Sequence, residues 1–267
     1  MDIKLITAII TFITCGLANT YAQYIPKSYR KSNTKLHTIK IKKGDEVLVK
    51  RSSLFCDTLI MEDESTLKIP YQAKSFTLYA KYCKIGKQCM ISSRGKDGKK
   101  QQLPTNLGEP GSNAAHINLY LNIQELGYLT VDATGGNGGS GRLPGIYGAG
   151  GHVNLHYYSP LILKVKKHRR PTRSFRDNTV RKPPKGQPTI TIKNKVGWMN
   201  SRRFDTYLRP PSYTPSHNGP ILPVIRTDPM LTNSARVAEQ KRRQRKDGNL
   251  KINRQAAFIS PADVKIQ

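Results

Sequence analysis

The sequence predicts an all-β fold, a short β-solenoid or parallel-β-helix-like domain, followed by a basic C-terminal tail. Three observations support this prediction. Residues 38–167 show short strand patterns separated by polar or glycine turns, with no helical period. A strand-and-turn unit of about forty residues occurs twice among them. After Lys167 the composition changes to proline, lysine and arginine, which excludes long regular elements.

The chain begins with the pattern of a secretion signal. An apolar run from Leu5 to Leu17 follows a short charged start, and small residues follow the run. The run is short for a membrane span, so residues 1–22 are predicted to be a signal peptide, cleaved after Ala22 or alternatively after Ala18. The mature chain is expected to be exported to the periplasm, the cell surface or the medium. Residues 23–37 are polar and basic and are expected to form a flexible lead.

The first strands of the domain alternate in polarity. Thr38-Ile39-Lys40-Ile41-Lys42 has the period of a half-buried strand, and Lys43-Gly44-Asp45-Glu46 is typical of a turn. Further short apolar stretches follow at Val47–Val49, Leu54–Cys56, Thr58–Met61 and Thr66–Ile69. This spacing suits a sandwich, a barrel or a solenoid.

The repeat favours the solenoid. Its first copy runs from Phe76 to Gly98 and its second from Ile117 to Gly138, and the opening recurs at Val153–Tyr157. Each copy has a strand, a short strand with glycine, another strand and a Gly-x-Asp/Asn-Gly turn. One such unit cannot bury its apolar face alone, so the copies are expected to stack and to bring Gly95 close to Gly135. The polar insertion between them, Lys99–Asn113, is expected to loop out.

These rungs resemble those of secreted bacterial glycine-rich parallel β-helix proteins. The resemblance covers about residues 38–167 and depends on Ile85-Gly86, Ile91–Gly98 and Val131–Gly138. It also suggests pectate lyases and related polysaccharide enzymes, whose grooves carry several carboxylates.

The acidic residues do not favour such an enzyme. Glu62-Asp63-Glu64 is a turn cluster, and Asp97 and Asp132 border glycine turns, where carboxylates often cap backbone groups. The sequence contains neither Gly-x-Ser-x-Gly nor His-Glu-x-x-His. We therefore expect no catalytic residues and no cofactor.

The glycine stretch formally matches a dinucleotide fingerprint at Gly136, Gly138 and Gly141. That motif requires a helix next, because the helix N-terminus holds the pyrophosphate. Pro144 and several further glycines follow instead, which disfavours a helix. The stretch is therefore interpreted as an extended loop in which only glycine tolerates the backbone angles or the close approach.

Cysteine usage is compatible with one disulfide. Cys83 with Cys89 is the simplest pairing in an oxidising compartment, which leaves Cys56 free or paired between chains. Cys15 lies in the predicted signal peptide, and Thr14 before it is a poor fit to a lipoprotein signal. No His pair has zinc-ligand spacing, so no metal site is predicted.

The formal net charge of +28 indicates a polyanionic partner: anionic polysaccharide, lipopolysaccharide or nucleic acid. Charge alone does not choose among these partners. An aromatic content of 7% argues against a stacking platform for single-stranded nucleic acid.

The tail, residues 168–267, is predicted to be mostly disordered, with two islands. Thr189–Ile192 could add a strand, and Trp198 nearby is either a buried partner anchor or a stacking platform. Asp228-Pro229 is typical of a helix start, which predicts a helix at 229–247. The predicted polyanion contacts are Lys241, Arg242, Arg243, Arg245 and Lys246 with Arg169, Arg170 and Arg173.

Together these features predict a secreted, non-enzymatic structural or adhesive protein that attaches to a polyanionic surface or matrix. One alternative is a β-helix-type polysaccharide-active enzyme. Another is an accessory subunit of a bacterial envelope or secretion assembly, in which the tail orders on binding its partners.

Overall fold

The computed structural model describes residues 37–99, 107–168, 187–199 and 229–264. These described residues fall into two units, one within residues 37–259 and one of residues 260–264. In the described part of the second unit, a short 3-10 helix spans Pro261–Asp263, and the Ser260 N–H donates to Asp263 Oδ2 at 2.8 Å.

Two parallel sheets of six strands form the first unit. In spatial order, the first sheet contains β1 (Thr38–Ile41), β3 (Ser53–Met61), β5 (Ser75–Ile85), β7 (His116–Leu126), β9 (Val153–Tyr158) and β12 (Leu250–Arg254). The second contains β2 (Glu46–Leu48), β4 (Thr66–Lys68), β6 (Cys89–Ser92), β8 (Tyr128–Asp132), β11 (Thr189–Lys193) and β10 (Lys164–Lys167). The all-β prediction is confirmed.

The repeat predicted the strand register correctly. From β1 to β9 successive strands alternate between the two sheets, and each strand pairs with the strand two positions along the chain. Leu78 lies opposite Leu119 and Ile91 opposite Val131, which are the positions that the two repeat copies align. The strand order within a sheet departs from the order along the chain only in the second sheet, where β11 lies between β8 and β10.

Apolar side chains from both sheets form one core. Alternate residues of a strand point to opposite faces, so every second residue faces the other sheet. Phe76 and Leu78 of β5, Leu119 of β7, and Leu129 and Val131 of β8 have no exposed surface. Burial of such side chains is the main driving force for joining the sheets.

The two ordered islands predicted in the tail are confirmed, one as the strand β11 and the other as a helix over most of 229–247. β11 is an internal strand of the second sheet, β12 forms the edge of the first, and helix α1 spans Pro229–Gln244. Residues 169–186 and 200–228 lie outside the described residues. The alternating stretch Thr189–Lys193 forms β11, and its residues Ile190 and Ile192 are fully buried. No helix in the described ranges has both the length and the apolar character needed to cross a membrane.

Glycine-rich segments extend the two sheets at one end of the strands. We call residues 93–99, 133–139 and 194–199, which follow β6, β8 and β11, the outgoing layer. We call residues 107–115, 143–152 and 245–249, which precede β7, β9 and β12, the returning layer. Leu107–Asn113 therefore belongs to this layer. The prediction that the insertion Lys99–Asn113 loops out is wrong for these residues.

Hydrogen bonds within each layer recur every three residues, the period of polyproline II chains. In the outgoing layer, the Gly95 N–H donates to the Thr134 carbonyl at 3.0 Å and the Gly98 N–H to the Asn137 carbonyl at 2.8 Å. These bonds confirm that the two repeated glycine turns lie side by side.

The two layers also bond directly to each other. The Gly136 N–H donates to the Ser112 carbonyl at 2.9 Å, and the Gly148 N–H donates to the Gly136 carbonyl at 2.7 Å. A Cβ on Gly148 would lie 1.8 Å from the Ser112 carbonyl oxygen. Glycine is needed here for close backbone approach, since Gly44 is the one described glycine with positive φ, at 74°.

Candidate functional site at the basic end

Charge is distributed unevenly along the sheets. The described residues up to Asp132 contain thirteen lysines and arginines against ten acids. The described residues from Ala133 to Ile259 contain fourteen against only two. Strands β9 to β12 and α1 therefore carry most of the excess positive charge.

Ion pairs further neutralise the part of the sheets that precedes β9. Nζ–Oε1 distances of 2.8 Å join Lys68 to Glu46 and Lys84 to Glu125. Such exposed pairs add little stability, but each one cancels a positive charge locally.

The last strands present cations at the opposite end of both sheets. β10 is the edge of the second sheet and has the sequence Lys-Val-Lys-Lys, and β12 is the edge of the first. We define the basic end as five exposed side chains of these two strands: Lys164, Lys166, Lys167, Lys251 and Arg254. Neither strand contains an acid. The fold therefore places these five exposed cations at the same end of the two sheets.

Sequence reasoning missed the basic end. Its two strands, β10 and β12, are separated by more than eighty positions along the chain, and only the fold brings them to the same end. The alternating Lys164–Lys167 motif was the available signal for β10.

The cationic residues between Lys241 and Lys246, the predicted basic run, have different roles in the structure. Lys241, Arg243 and Lys246 are exposed, whereas Arg242 and Arg245 are half-buried. Arg242 Nε lies 2.5 Å and Arg243 Nε 3.0 Å from the carboxylate of Glu239. Hydrogen bonds from Arg242 and then Arg243 lower the pKa of Glu239, so this carboxylate stays charged beside them. The predicted contacts Arg169, Arg170 and Arg173 lie outside the described residues.

Arg245 supports the fold, which the sequence did not predict. Its guanidinium donates to the Gly111 carbonyl at 3.1 Å and also to the Tyr147 carbonyl. Burial lowers the pKa of Arg245. Arg245 therefore takes part in the fold, because its side chain ties the returning layer to the end of α1.

Trp198 is half-buried, and its backbone is part of the outgoing layer. Its N–H donates to Asn137 Oδ1 at 2.8 Å, and its carbonyl accepts from the Gly138 N–H at 2.9 Å. Asp97 extends the same ladder, since its Oδ1 accepts from the Asn137 N–H at 2.7 Å. The predicted backbone-capping role of Asp97 is confirmed, as is that of Asp132, which accepts from the Thr134 N–H at 2.9 Å.

Cys83 and Cys89, the predicted disulfide partners, are not joined in the structure. Both are free, buried thiols, as is Cys56, and they lie on β5 and β6 of different sheets. Burial raises the pKa of all three thiols: Cys56 to about 12, Cys83 well above its usual value, and Cys89 in the same direction. These thiols act as small apolar core residues.

Two histidines stack beside the returning layer. The rings of His116 and His152 have centroids 4.4 Å apart, and His116 Nδ1 accepts from the His152 backbone N–H at 2.9 Å. Burial, and then the charge of His152, lower the pKa of His116. Within the described ranges, no set of three or more His, Cys, Asp or Glu side chains is arranged to hold a metal ion.

A groove of about 490 Å³ lies between α1 and the returning layer. Leu143 and Ile146 line it, and they belong to a small apolar cluster with Met199 and Ala235 of the helix. Lys241 and Arg245 lie at its wall. Sequence reasoning did not find this groove, because its two walls are about ninety residues apart in the chain.

Comparison of this chain with protein-family models, with curated proteins and with solved structures finds no match.

Proposed function

We propose that this protein is an exported, non-enzymatic β-solenoid that attaches to a polyanionic surface or matrix through its basic end. The observation that carries the proposal is the charge asymmetry, with fourteen cations against two acids in the described residues from Ala133 to Ile259. The alternation of parallel strands between two sheets supports the solenoid. Export depends on the predicted signal peptide, residues 1–22, which lie outside the described residues.

The geometry suits a long anion better than a small one. Lysines two residues apart on an extended strand are separated by roughly 7 Å, and neighbouring strands by about 5 Å. Several exposed cations on two edge strands form a broad, shallow surface. A polyanion can span such a surface and release counterions from many weak contacts, whereas a small anion meets one or two.

Lysines on an edge strand also have an effect that does not involve an anion, and the test must distinguish this effect from polyanion binding. Charged residues on an edge strand prevent another chain from pairing with it. Neutralising them would then promote self-association without changing affinity for a polyanion.

The test compares two variants that each lose five exposed charges. The basic-end variant replaces Lys164, Lys166, Lys167, Lys251 and Arg254 with Gln. The control variant replaces Lys42, Lys43, Lys50, Arg51 and Lys87 with Gln, all exposed and all within residues 37–99.

Heparin affinity should fall at least about tenfold in the basic-end variant and much less in the control. Light scattering on the same samples detects self-association. An equal decrease in heparin affinity in both variants would mean that the affinity depends only on net charge, and the proposed site would be wrong. Self-association of the basic-end variant with unchanged heparin affinity would assign the lysines to edge protection alone.

A further inference from the structure

The groove between α1 and the returning layer has an ordered distribution of polarity. On the helix, Asn233, Val237 and Lys241 follow one another at intervals of four residues and therefore lie on one face. Val237 and the adjacent Ala238 make the middle of that face apolar, and Lys241 ends it with a cation. The helix side of the groove is therefore polar but uncharged at Asn233 and Ser234, apolar in the middle and positive at the other end.

The opposite wall comes from the returning layer and is also apolar. It is formed by Leu107, Pro110, Leu143, Pro144 and Ile146 with two glycines. Leu143 and Ile146 are buried, at 3% and 6% exposure, whereas Leu107 is 45% exposed and Val237 across the groove is 52% exposed. Apolar surface thus continues from the floor to the rim.

Positive charge at the end of the groove has no carboxylate beside it among the lining residues. Lys241 is exposed. Arg245 is held in place by the carbonyl groups of Gly111 and Tyr147, which fix its direction but leave its charge uncompensated. A ligand with one anionic group would complement this end.

We propose that this groove binds an anionic amphiphile, a single acyl chain with a carboxylate or phosphate head. Its volume of about 490 Å³ lies in the range of small-ligand sites, which are mostly apolar with a few placed polar groups. The chain lies between Val237 and the Leu143–Ile146 wall, and the head group contacts Lys241 and Arg245. This site is separate from the basic end and does not depend on the polyanion proposal.

The test uses isothermal titration calorimetry with dodecanoate below its micellar concentration. Two further probes each share one feature of dodecanoate. Butanoate has the carboxylate head without the long chain, and dodecyltrimethylammonium has the long chain with a head of opposite charge. Dodecanoate should bind with one site per chain and at least about tenfold more tightly than either.

Three substitutions locate the site, and all are at exposed positions. Val237→Asp places a charge against the acyl chain and should weaken dodecanoate binding by about tenfold or more. Lys241→Gln removes one head-group contact and should weaken it by about three- to tenfold. Arg236→Gln removes one charge from a neighbouring residue that does not line the groove and should leave binding unchanged.

Circular dichroism confirms that each variant is folded before it is titrated. Absence of dodecanoate binding to the folded parent chain would overturn the proposal. Equal affinity for dodecyltrimethylammonium would overturn the anionic preference, and undiminished binding in Val237→Asp would overturn the location. Heparin affinity of Val237→Asp should equal that of the parent, which keeps this result independent of the basic end.

Discussion

The side chain of Asn122 forms two hydrogen bonds with the backbone of Ile259. Asn122 Nδ2 donates to the Ile259 carbonyl at 3.0 Å, and Asn122 Oδ1 accepts from the Ile259 N–H at 2.8 Å. The Tyr79 hydroxyl donates to the same carbonyl at 3.2 Å. Residues after β12 therefore return across the outer face of the first sheet, where Phe258 lies 5.5 Å from Tyr82 between ring centroids.

Asn122→Ala should lower the free energy of unfolding by about 2–3 kcal/mol. The change removes two hydrogen bonds and leaves buried backbone groups of Ile259 without those partners. Asn253→Ala, an amide on the exposed edge strand β12, is the matched control and should cost less than about 0.5 kcal/mol. Urea denaturation measures both values. A similar decrease in the free energy of unfolding in the two variants would show that the Asn122 hydrogen bonds contribute no more to stability than an exposed amide does.

Gly148→Ala should be strongly destabilising, by about 3 kcal/mol, because a Cβ would lie 1.8 Å from the Ser112 carbonyl oxygen. The control is Gly44→Asn, where no atom lies within 4 Å of an added Cβ and φ is 74°, a conformation that Asn tolerates. The control should cost less than about 1 kcal/mol in thermal or chemical denaturation. A mild effect of Gly148→Ala would mean that the layers are not in direct backbone contact.

Cys56, Cys83 and Cys89 should be unreactive in the native chain and fully reactive in the denatured one. Their exposed fractions are zero, and burial raises their pKa values, so little thiolate is available to a thiol reagent at pH 8. A chain that begins at residue 23 should titrate three thiols in denaturant without reductant. A count of one would instead demonstrate a disulfide, as the sequence predicted for Cys83 and Cys89.

Stability should decrease as the pH falls below about 6.5, in part because of His116. Its pKa in the folded chain lies below the usual 6.5, so the unfolded chain takes up the proton first and protonation favours unfolding. Protonation also removes the Nδ1 acceptor used by the His152 N–H. In denaturation measured between pH 7.5 and 5.5, His116→Asn should show a shallower decrease than the parent chain. A decrease of the same slope would exclude His116 as a contributor.

Local patterns were enough to predict the sheets. Leu78 and Leu119 could be aligned because the two repeat copies share both apolar alternation and glycine turns, and parallel pairing follows from stacking such copies. The position of β11 between β8 and β10 could not be predicted, because it depends on tertiary contacts of a five-residue strand. The alternation at Thr189–Ile192 indicated the strand itself but not its neighbours in the sheet.

The candidate site was only partly predictable for a related reason. Sequence reasoning selected Lys241–Lys246 because cations are adjacent there, but Arg245 holds the returning layer and Arg242 pairs with Glu239. Lys164 and Lys251 come together at one end of the sheets only through topology. The three-residue spacing of Gly145, Gly148 and Gly151 was a visible signal for the glycine layers, since it is the period of polyproline II.

Salt dependence of polyanion binding tests the central claim most directly. With a short DNA duplex as a polyanion of known charge spacing, the logarithm of affinity should fall linearly with the logarithm of salt concentration, by about 0.9 for each phosphate neutralised. We predict that the slope of the basic-end variant is smaller than that of the parent by about two to four, and that the control variant keeps a slope within about one of the parent. A basic-end variant with the parent's slope and affinity would contradict the account.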